Sequence, residues 1–303
     1  MFAQSTDNPH QLASAPIVVG IDGSEASDLA VYWAAETAVR RGRTLRIVHG
    51  LDLEAAQAVF GRYDLVVSFV AQTLREEGAA RLATAVRLAR SVAAELRVET
   101  ELSPTHPAWL LCERSRSAHL VVLGAGQSGE LAHIGSTLLA VTARGHGDIV
   151  IVRDTGSEQR TRATGPVVLG IDNSRVSETA VAAAFAEASA RETTLVAAHA
   201  CCVNHHPRAG VTSLLPVREI HSAAKQVLAE QLAGWQEKFP DVQVVRKVSA
   251  ADPRHLLTVW SKSAQLVVVA SRGRGGLRGP TLGSTSNFLV QHAYCPVMVA
   301  HTD

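Results

Sequence analysis

The chain has 303 residues, of which 47% are apolar and 19% charged. This length and composition suit two globular domains of about 150 residues, each with its own core. A formal net charge of +1 creates no global field that would recruit nucleic acid or an anionic membrane. No apolar run approaches the roughly 20 residues of a membrane span. The four cysteines are too irregularly spaced for a disulfide framework, which favours a reducing cytoplasm.

Residues 1–15 are polar and contain neither the basic nor the apolar segment of a signal peptide, so we expect a disordered leader. Residues 154–165 contain no apolar side chain larger than alanine and are predicted to be a linker. The domains predicted on either side of this linker are residues 16–153 and 166–303.

Each half of the chain alternates short apolar runs with helical periodicity. Long helices are expected near residues 62–95 and 217–238. This alternation predicts two tandem α/β domains, each a Rossmann-like parallel sheet of five strands with helices on both faces. The predicted strands are 16–21, 44–49, 97–102, 119–124 and 148–153 in the first half, and 166–171, 194–199, 242–248, 265–270 and 296–300 in the second.

The two halves are copies of one unit. The segment PIVVGID that ends at Asp22 matches PVVLGID, which ends at Asp172, with an offset of 150. His49 and His199 close matching strands at the same offset. An apolar stripe with helical spacing is also repeated 150 residues later. One offset held across three elements indicates a tandem repeat. The two stripes are Val31, Ala34, Ala35 and Ala38, and Val181, Ala184, Phe185 and Ala188.

A strand, a glycine-rich loop and a helix start follow one another near the end of each copy. In the second copy the strand is Leu266–Val269, and the loop ends at Gly283-Ser284-Thr285. In the first copy the loop ends at Gly135-Ser136-Thr137. Glycines let backbone N–H groups approach a phosphate closely, and a helix start adds N–H donors and partial positive charge. We therefore expect an anion site that accepts a nucleotide phosphate.

These residues resemble the universal stress protein family over residues 16–300. The family pattern is G-x2-G-x9-G-[S/T], and its later part is satisfied by Gly273, nine intervening residues, and then Gly283 and Ser284. The first glycine of the pattern falls on Ala270, a departure. The openings GIDGS and GIDNS and the closing strands IVIVR and PVMVA also match the family.

The resemblance implies an adenine nucleotide ligand, ATP alone or with Mg2+, and pairing of the last strands between domains. The aspartate after the first strand would face the nucleoside, the residue after the second strand's histidine would lie by the adenine, and the late loop would hold phosphates. The residues expected to bind nucleotide are Gly20, Asp22, Gly50, Gly124, Gly126, Gly135, Ser136 and Thr137 in the first copy, and Gly170, Asp172, Ala200, Ser271, Arg272, Gly273, Arg274, Gly275, Gly283, Ser284 and Thr285 in the second.

The first copy departs further from the pattern. Its late loop is two residues shorter, lacks arginine, and places Glu130 and His133 where the second copy has its Arg-Gly stretch. A carboxylate in a shorter loop is a poorer anion cradle. We expect this copy to bind ATP weakly, to bind another nucleotide, or to be empty.

Several motifs allow other interpretations. Residues 124–129 read G-x-G-x-x-G, but they follow the fourth strand, and Asp148 begins the next strand rather than ending it, which disfavours a dinucleotide site. The three loop arginines could contact nucleic acid, although no aromatic residue is interleaved. Triphosphate contact and simple solvated charge are the other interpretations. These arginines are Arg272, Arg274 and Arg278.

Three further alternatives concern single side chains. Cys201, Cys202, His205 and His206 have metal-ligand chemistry, but neighbouring strand residues point to opposite faces. The paired histidines His49 and His199 are predicted to be structural, with a catalytic role as the alternative. Asp22 and Asp172 could cap the helices that follow, unless Ser24 and Ser174 do so.

No sequence feature indicates strong catalysis. Neither half carries the P-loop motif GxxxxGK[ST] or the SGGxDS-type loop of related pyrophosphatases, and no base–nucleophile pair is evident. The prediction is a nucleotide-binding stress-response regulator that forms a homodimer and contacts an unidentified protein partner. The alternatives are a slow ATPase, a protein that binds cyclic AMP or AMP, and a nucleotide-free interaction protein.

Overall fold

The structure is a computed structural model. It describes residues 14–60, 64–126, 136–153, 164–172, 174, 177–201, 217–273 and 281–302. The chain divides between residues 160 and 161 into two compact units, called domain 1 and domain 2 below.

Domain 1 alternates strands with helices along the described chain. Its first strand is followed by a helix whose start is capped by the Ser24 hydroxyl, which accepts a hydrogen bond from Ser27 N. That helix ends at Gly42, which adopts the left-handed conformation (φ 60°) typical of a helix C-cap. The elements are β1 (Ile17–Gly20), α1 (Glu25–Arg41), β2 (Leu45–Gly50), α2 (Leu53–Phe60), α3 (Asp64–Val92), β3 (Val98–Ser103), α4 (Pro107–Ser115), β4 (Leu120–Ala125), α5 (Ser136–Arg144) and β5 (Asp148–Arg153).

Domain 2 repeats this order along its described residues. Asp252 caps the helix that begins with Pro253, accepting hydrogen bonds from Arg254 N and His255 N. Proline suits the first helical position because its missing N–H would have no intrahelical partner there. The elements are β6 (Val167–Ile171), α6 (Ser177–Ala190), β7 (Leu195–Ala200), α7 (Val217–Lys238), β8 (Val244–Ser249), α8 (Pro253–Ser261), β9 (Leu266–Ala270), α9 (Ser284–His292) and β10 (Val297–Ala300).

The five strands of each domain pair in parallel. The order is β3-β2-β1-β4-β5 in domain 1 and β8-β7-β6-β9-β10 in domain 2. Register places Ile17 beside both Leu45 and Leu120, and Val167 beside both Leu195 and Leu266. The first strand of each domain is therefore central, and the chain direction across the sheet reverses between it and the fourth strand. Such a switch point opens a crevice at the carboxyl ends of the two strands.

The core consists of the central strands and the helix faces that cover them. Every residue of β1 and β9 is buried, as expected of parallel strands covered on both faces. The predicted apolar stripes are confirmed: all eight of their side chains are at most 3% exposed on α1 and α6. The small alanines in these stripes let the helices pack close to the sheet.

The predicted two-domain α/β fold is confirmed, and each predicted strand is observed with boundaries that differ by at most about two residues. The long helix of domain 2 spans the predicted residues 217–238. In domain 1 the corresponding helix α3 begins at Asp64, and the short helix α2 before it was not predicted. The predicted linker falls largely outside the described residues, and pairing between the closing strands of the two domains stays a prediction.

Candidate nucleotide-binding sites

Asp172 lies immediately after β6, at the switch point of domain 2. Its Oδ1 accepts hydrogen bonds from Ser174 N (3.0 Å), from the Ser174 hydroxyl (2.6 Å) and from the Ser177 hydroxyl (2.5 Å). Hydrogen bonds to a carboxylate are stronger than those between neutral groups. The carboxylate is thus held in one orientation by the start of α6.

The same carboxylate faces the glycine-rich loop that follows β9. A Cβ built on Gly273 would lie 2.6 Å from Asp172 Oδ2, so any side chain at this position would displace the carboxylate or the loop. Glycine permits this approach because it has no Cβ. The two candidate elements predicted from sequence, the aspartate after the first strand and the glycine loop after the fourth, therefore meet.

The two ends of the glycine loop of domain 2 lie close together. The Gly283 N–H donates to the Ser271 carbonyl (2.8 Å), and a Cβ built on Gly283 would lie 3.6 Å from Gly273 N. Gly283 is the N-cap of α9 and supplies no side-chain cap. The N–H groups in the first turn of a helix lack intrahelical acceptors and carry partial positive charge. The start of α9 is thereby brought beside Gly273.

Asp22 occupies the equivalent point in domain 1, where it is exposed. Its Oδ1 accepts from Ser24 N (2.9 Å) and from the Ser24 hydroxyl (2.6 Å). Partial burial opposes ionisation, but hydrogen bonds led by those from Ser24 outweigh it and lower the pKa of Asp22. The predicted alternative of Asp22 as the helix cap is wrong, because Ser24 caps α1.

Two other acidic residues, Glu25 and Asp28, lie in the first turn of α1. Burial, followed by the negative charges of Asp22 and Glu25, raises the pKa of Asp28. The start of α1 is therefore rich in negative charge, which suits the positive end of a helix dipole but opposes the approach of a highly charged anion.

A cationic side chain from α3 covers the loop between β1 and α1. A Cβ built on Gly23, which has a φ of 85°, would lie 3.2 Å from both Cδ and Nε of Arg81. Arg81 also pairs with Glu77 one helical turn earlier, at 3.6 Å. The sequence analysis did not predict Arg81 as a site residue.

The comparisons with known proteins identify the family. The model of the Universal stress protein family matches residues 14–153 and 164–301, that is, both domains. The chain belongs to the universal stress protein family. Universal stress protein Rv2005c of Mycobacterium tuberculosis is 38% identical over 291 residues, covering 94% of this chain and 96% of that protein. Universal stress protein Rv2623 of the same species is 37% identical over 301 residues, covering 95% and 97%.

A solved structure supports the fold. The crystal structure of a universal stress protein from Archaeoglobus fulgidus DSM 4304 superposes with a TM-score of 0.67 at 14% sequence identity, covering 94% of this chain and 98% of that one. At that identity the likeness concerns the fold alone.

In domain 1, packing requires glycine at the first glycine position of the universal stress protein pattern, which is Gly124. A Cβ on Gly124 would overlap the Ala26 carbonyl and lie 2.7 Å from Ser27 N, so the end of β4 touches the backbone of α1. In domain 2 the equivalent residue is Ala270, whose carbonyl accepts the Ser286 hydroxyl (2.6 Å). Domain 2 therefore has room for a methyl group where domain 1 does not.

Other predicted site glycines lie against protein atoms. A Cβ on Gly20 would come within 3.0 Å of the Leu111 side chain, and one on Gly170 within 2.7 Å of Leu257. A Cβ on Gly50 would lie 2.8 Å from Pro107 Cα, whereas one on Gly126 would meet nothing within 4 Å. Packing accounts for the first three glycines without a ligand, and their nucleotide role stays a prediction.

The paired histidines of this universal stress protein are structural, as predicted. His49 Nδ1 hydrogen-bonds the Ile21 carbonyl and His199 Nδ1 the Ile171 carbonyl, both at 2.7 Å and both buried. Each histidine therefore fixes the residue that precedes the candidate aspartate, and acts on the site through the backbone.

The remaining predicted residues lie at helix starts, at a strand end or outside the described residues. Ser284 and Thr285 begin α9, Ser136 and Thr137 begin α5, and Ala200 ends β7. Among the described residues no group of His, Cys, Asp or Glu could hold a metal ion, and every helix is too short or too polar for a membrane span. Outside the described residues lie Gly135, Arg274, Gly275, Arg278, Glu130, His133, Cys202, His205 and His206.

Ser177, like Arg81, was not predicted as a site residue. The spacing Ser174-x-x-Ser177 is present in the sequence, but it also fits an ordinary helix start. The hydrogen bond from Ser177 to Asp172, rather than the spacing, distinguishes a residue that orients the candidate carboxylate from one that only begins a helix.

Proposed function

We propose that this universal stress protein binds adenine nucleotides and acts as a stress-response regulator whose conformation or partner contacts change with the ligand. The observation that carries the proposal is the meeting of Asp172, Gly273 and the start of α9 in domain 2. A carboxylate can accept hydrogen bonds from ribose hydroxyls, while glycine N–H groups and a helix start can donate to phosphate oxygens. The two kinds of partner lie side by side, as the nucleoside and phosphate parts of a nucleotide require.

ATP is the proposed ligand of domain 2. Arg272 lies two positions after the end of β9, and the sequence places further arginines in the same loop. Arginine binds phosphate oxygens through two parallel N–H groups. If Mg2+ accompanies ATP, its ligands would come mainly from the phosphates and water, because magnesium commonly binds through one or two carboxylates and substrate phosphates.

The proposed protein works by binding rather than by rapid catalysis, in the cytoplasm and as a homodimer. Ordinary kinases turn over at about 1–100 s⁻¹ with a clamp lysine, metal carboxylates and a positioned base, and the sequence contains no motif for that set. Hydrolysis, if present, is expected to be far slower than that range.

The test is a calorimetric titration of the full chain with ATP, together with native mass spectrometry of the purified protein. We expect nucleotide to copurify, and we expect Gly283→Val to abolish ATP binding at domain 2. A valine there would stand beside the Arg272 backbone, where a Cβ would already be 3.4 Å from Arg272 Cα. The matched control is Gly234→Val, an exposed position on α7 with nothing within 4 Å of its Cβ.

Retained ATP affinity in Gly283→Val would show that the site is assigned to the wrong residues. A parent protein that neither copurifies with nucleotide nor binds ATP, AMP or cyclic AMP in titrations would overturn the proposed function itself. Sustained turnover in the kinase range, lost on Asp172→Ala, would instead place the protein among the enzymes.

A further inference from the structure

The arginines near the candidate site belong to different elements in the two domains. The long helices α3 and α7 both end six residues before the strand that follows, at Val92 before Val98 and at Lys238 before Val244. Each of these positions in domain 2 lies 146 residues after its equivalent in domain 1. The same offset relates α4 and α8, which begin at Pro107 and Pro253. By the same offset, Arg81 of domain 1 corresponds to Val227 of domain 2, and Glu77 to Ala223.

In the late loops, by contrast, domain 2 has arginines and domain 1 has none. In domain 1 residues 126–135 contain no lysine or arginine, whereas in domain 2 Arg272 lies two positions after the end of β9 and is followed by Arg274 and Arg278. A cation on the late loop can reach the outer phosphates of a bound triphosphate. A cation at the β1–α1 loop instead lies beside the residue expected to face the nucleoside, Asp22.

Arg81 is held at this loop by contacts within domain 1. Its Cδ and Nε lie 3.2 Å from a Cβ built on Gly23, and its guanidinium pairs with Glu77 at 3.6 Å. Its side chain is nevertheless 42% exposed, so that it can still contact a ligand. A residue larger than glycine at position 23 would both strain the backbone at a φ of 85° and displace Arg81.

The surroundings of Arg81 favour a small anion over a large one. Asp22, Glu25 and Asp28 place three carboxylates at the start of α1. The phosphate monoester of AMP carries about −1.5 to −2 charges at neutral pH, the phosphate diester of cyclic AMP carries a single negative charge, and one guanidinium can pair with either bidentately. A triphosphate would bring more negative charge to a region that is already acidic, with no basic residue in the late loop to balance it.

We propose that Arg81 is the phosphate-contacting residue of domain 1, and that domain 1 selects an adenosine monophosphate, either AMP or cyclic AMP, while domain 2 takes ATP. The inference rests on the proposed function, because it assumes that both domains bind adenine nucleotides. In a monophosphate the phosphorus is attached directly to a ribose oxygen. All of its phosphate charge therefore stays within reach of the loop beside Asp22, whereas in ATP only the α-phosphate is attached in this way and the outer phosphates extend beyond that loop.

The experiment uses the full chain and separate calorimetric titrations with AMP, cyclic AMP and ATP. We expect the parent to bind one monophosphate and one ATP per chain. Arg81→Gln should weaken monophosphate binding by at least about tenfold, equivalent to about 1.4 kcal/mol, and leave the ATP isotherm unchanged. Arg81→Lys should recover part of the lost affinity, because a point charge remains without the bidentate geometry.

The matched control is Arg75→Gln, which removes the same charge from an exposed position on the same helix. It should leave every isotherm unchanged, which separates a local contact from a change in the overall field. Comparison of AMP with cyclic AMP identifies which monophosphate the domain prefers, because the cyclic ester lacks the free 3′-hydroxyl that Asp22 could accept from.

Three results would overturn the inference. Unchanged monophosphate affinity in Arg81→Gln, with ATP still bound by the parent, removes the role of Arg81 and leaves the proposed function standing. Two equal ATP sites per chain, neither sensitive to Arg81→Gln, remove the selectivity of domain 1. Failure of the parent to bind any of the three nucleotides removes the proposed function and this inference with it.

Discussion

Domain 1 and domain 2 place an aspartate at the same point of the same fold but fix it differently. In domain 2 the Ser177 hydroxyl donates to Asp172, whereas in domain 1 the equivalent Ser27 hydroxyl donates to the Ser24 carbonyl at 2.8 Å and only adds to the effect of Ser24 in lowering the pKa of Asp22. Asp172 also faces Gly273 across the switch point. Among the described contacts, Asp22 is bound only by its own loop and helix start.

A duplicated fold can keep its carboxylate while changing the residues that the carboxylate faces. Domain 2 brings its glycine loop against Asp172. Domain 1 brings an arginine from α3 over the neighbouring Gly23. The shared framework therefore surrounds the two carboxylates with different residues, and each difference between the domains can be tested by substituting matched residues.

The largest expected effect concerns the fourth strand, where Gly124 and Ala270 correspond. Gly124→Ala should lower the free energy of unfolding of domain 1 by about 3 kcal/mol, because the new methyl group would overlap the backbone of α1. Ala270→Gly should lower that of domain 2 by only about 0.5–1 kcal/mol, through added freedom of the unfolded chain. Urea unfolding of the full chain measures both, and similar losses in the two variants would contradict the difference in packing.

The next effect concerns the contact between Asp172 and Gly273. Gly273→Ala should weaken ATP binding at domain 2 by about tenfold or more, because a methyl group 2.6 Å from Asp172 Oδ2 must move either the carboxylate or the loop. Gly234→Ala at an exposed position on α7 is the control, since its Cβ would meet nothing within 4 Å. Calorimetry with ATP checks both variants, and an unchanged isotherm for Gly273→Ala would separate Asp172 from the binding site.

The third effect compares two buried serines at equivalent positions. Ser177→Ala should cost about 1 kcal/mol more than Ser27→Ala in urea unfolding. Ser177 donates to a carboxylate and Ser27 to a neutral carbonyl, and hydrogen bonds to charged groups contribute about 1.5–3 kcal/mol against roughly 1 for neutral pairs. Equal losses would mean that Asp172 gains nothing from Ser177 and that its orientation is set elsewhere.

The fold could be predicted from the sequence because its signals are redundant. Most strands are short apolar runs between turn signals, and the order of strands and helices in the first half recurs in the second. The apolar stripe that contains Phe185 was identified by spacing alone and is buried in the structure. Asp22 and Asp172 could be placed at the switch point because the parallel alternation fixes which strand ends face it.

The details of the sites could not be predicted, because they depend on contacts between elements far apart in the chain. Arg81 is one of several charged residues on a long helix, and nothing in the local sequence links it to Gly23, which lies 58 positions earlier. Similarly, a glycine such as Gly124 or Gly273 signals a close approach without saying what approaches. The neighbour is helix backbone for Gly124 and a carboxylate for Gly273.

The smallest expected effect concerns an ion pair that only domain 1 has at this position. Arg114 on α4 donates to both oxygens of Glu101 on β3, at 2.6 and 2.8 Å. The equivalent residues of domain 2 are Trp260 and Lys247, which cannot form the pair. Glu101→Gln should lower the free energy of unfolding by about 0.5 kcal/mol at neutral pH, because both partners are partly exposed and water screens their attraction.

The pH dependence of this effect distinguishes an ion pair from a packing contact. Hydrogen bonds from Arg114 lower the pKa of Glu101 from its ordinary value of 4.5, despite opposition from partial burial. A carboxyl group whose pKa is lower in the folded state stabilises the protein above its unfolded pKa, and this contribution is lost as the pH falls through the folded pKa. The difference between parent and Glu101→Gln in urea unfolding should therefore shrink as the pH falls below 4.5, whereas Lys247→Gln, the exposed counterpart in domain 2, should show no such dependence. A Glu101→Gln effect that persists undiminished at pH 3 would mean that the side chain contributes through packing, and that its charge does not distinguish the two domains.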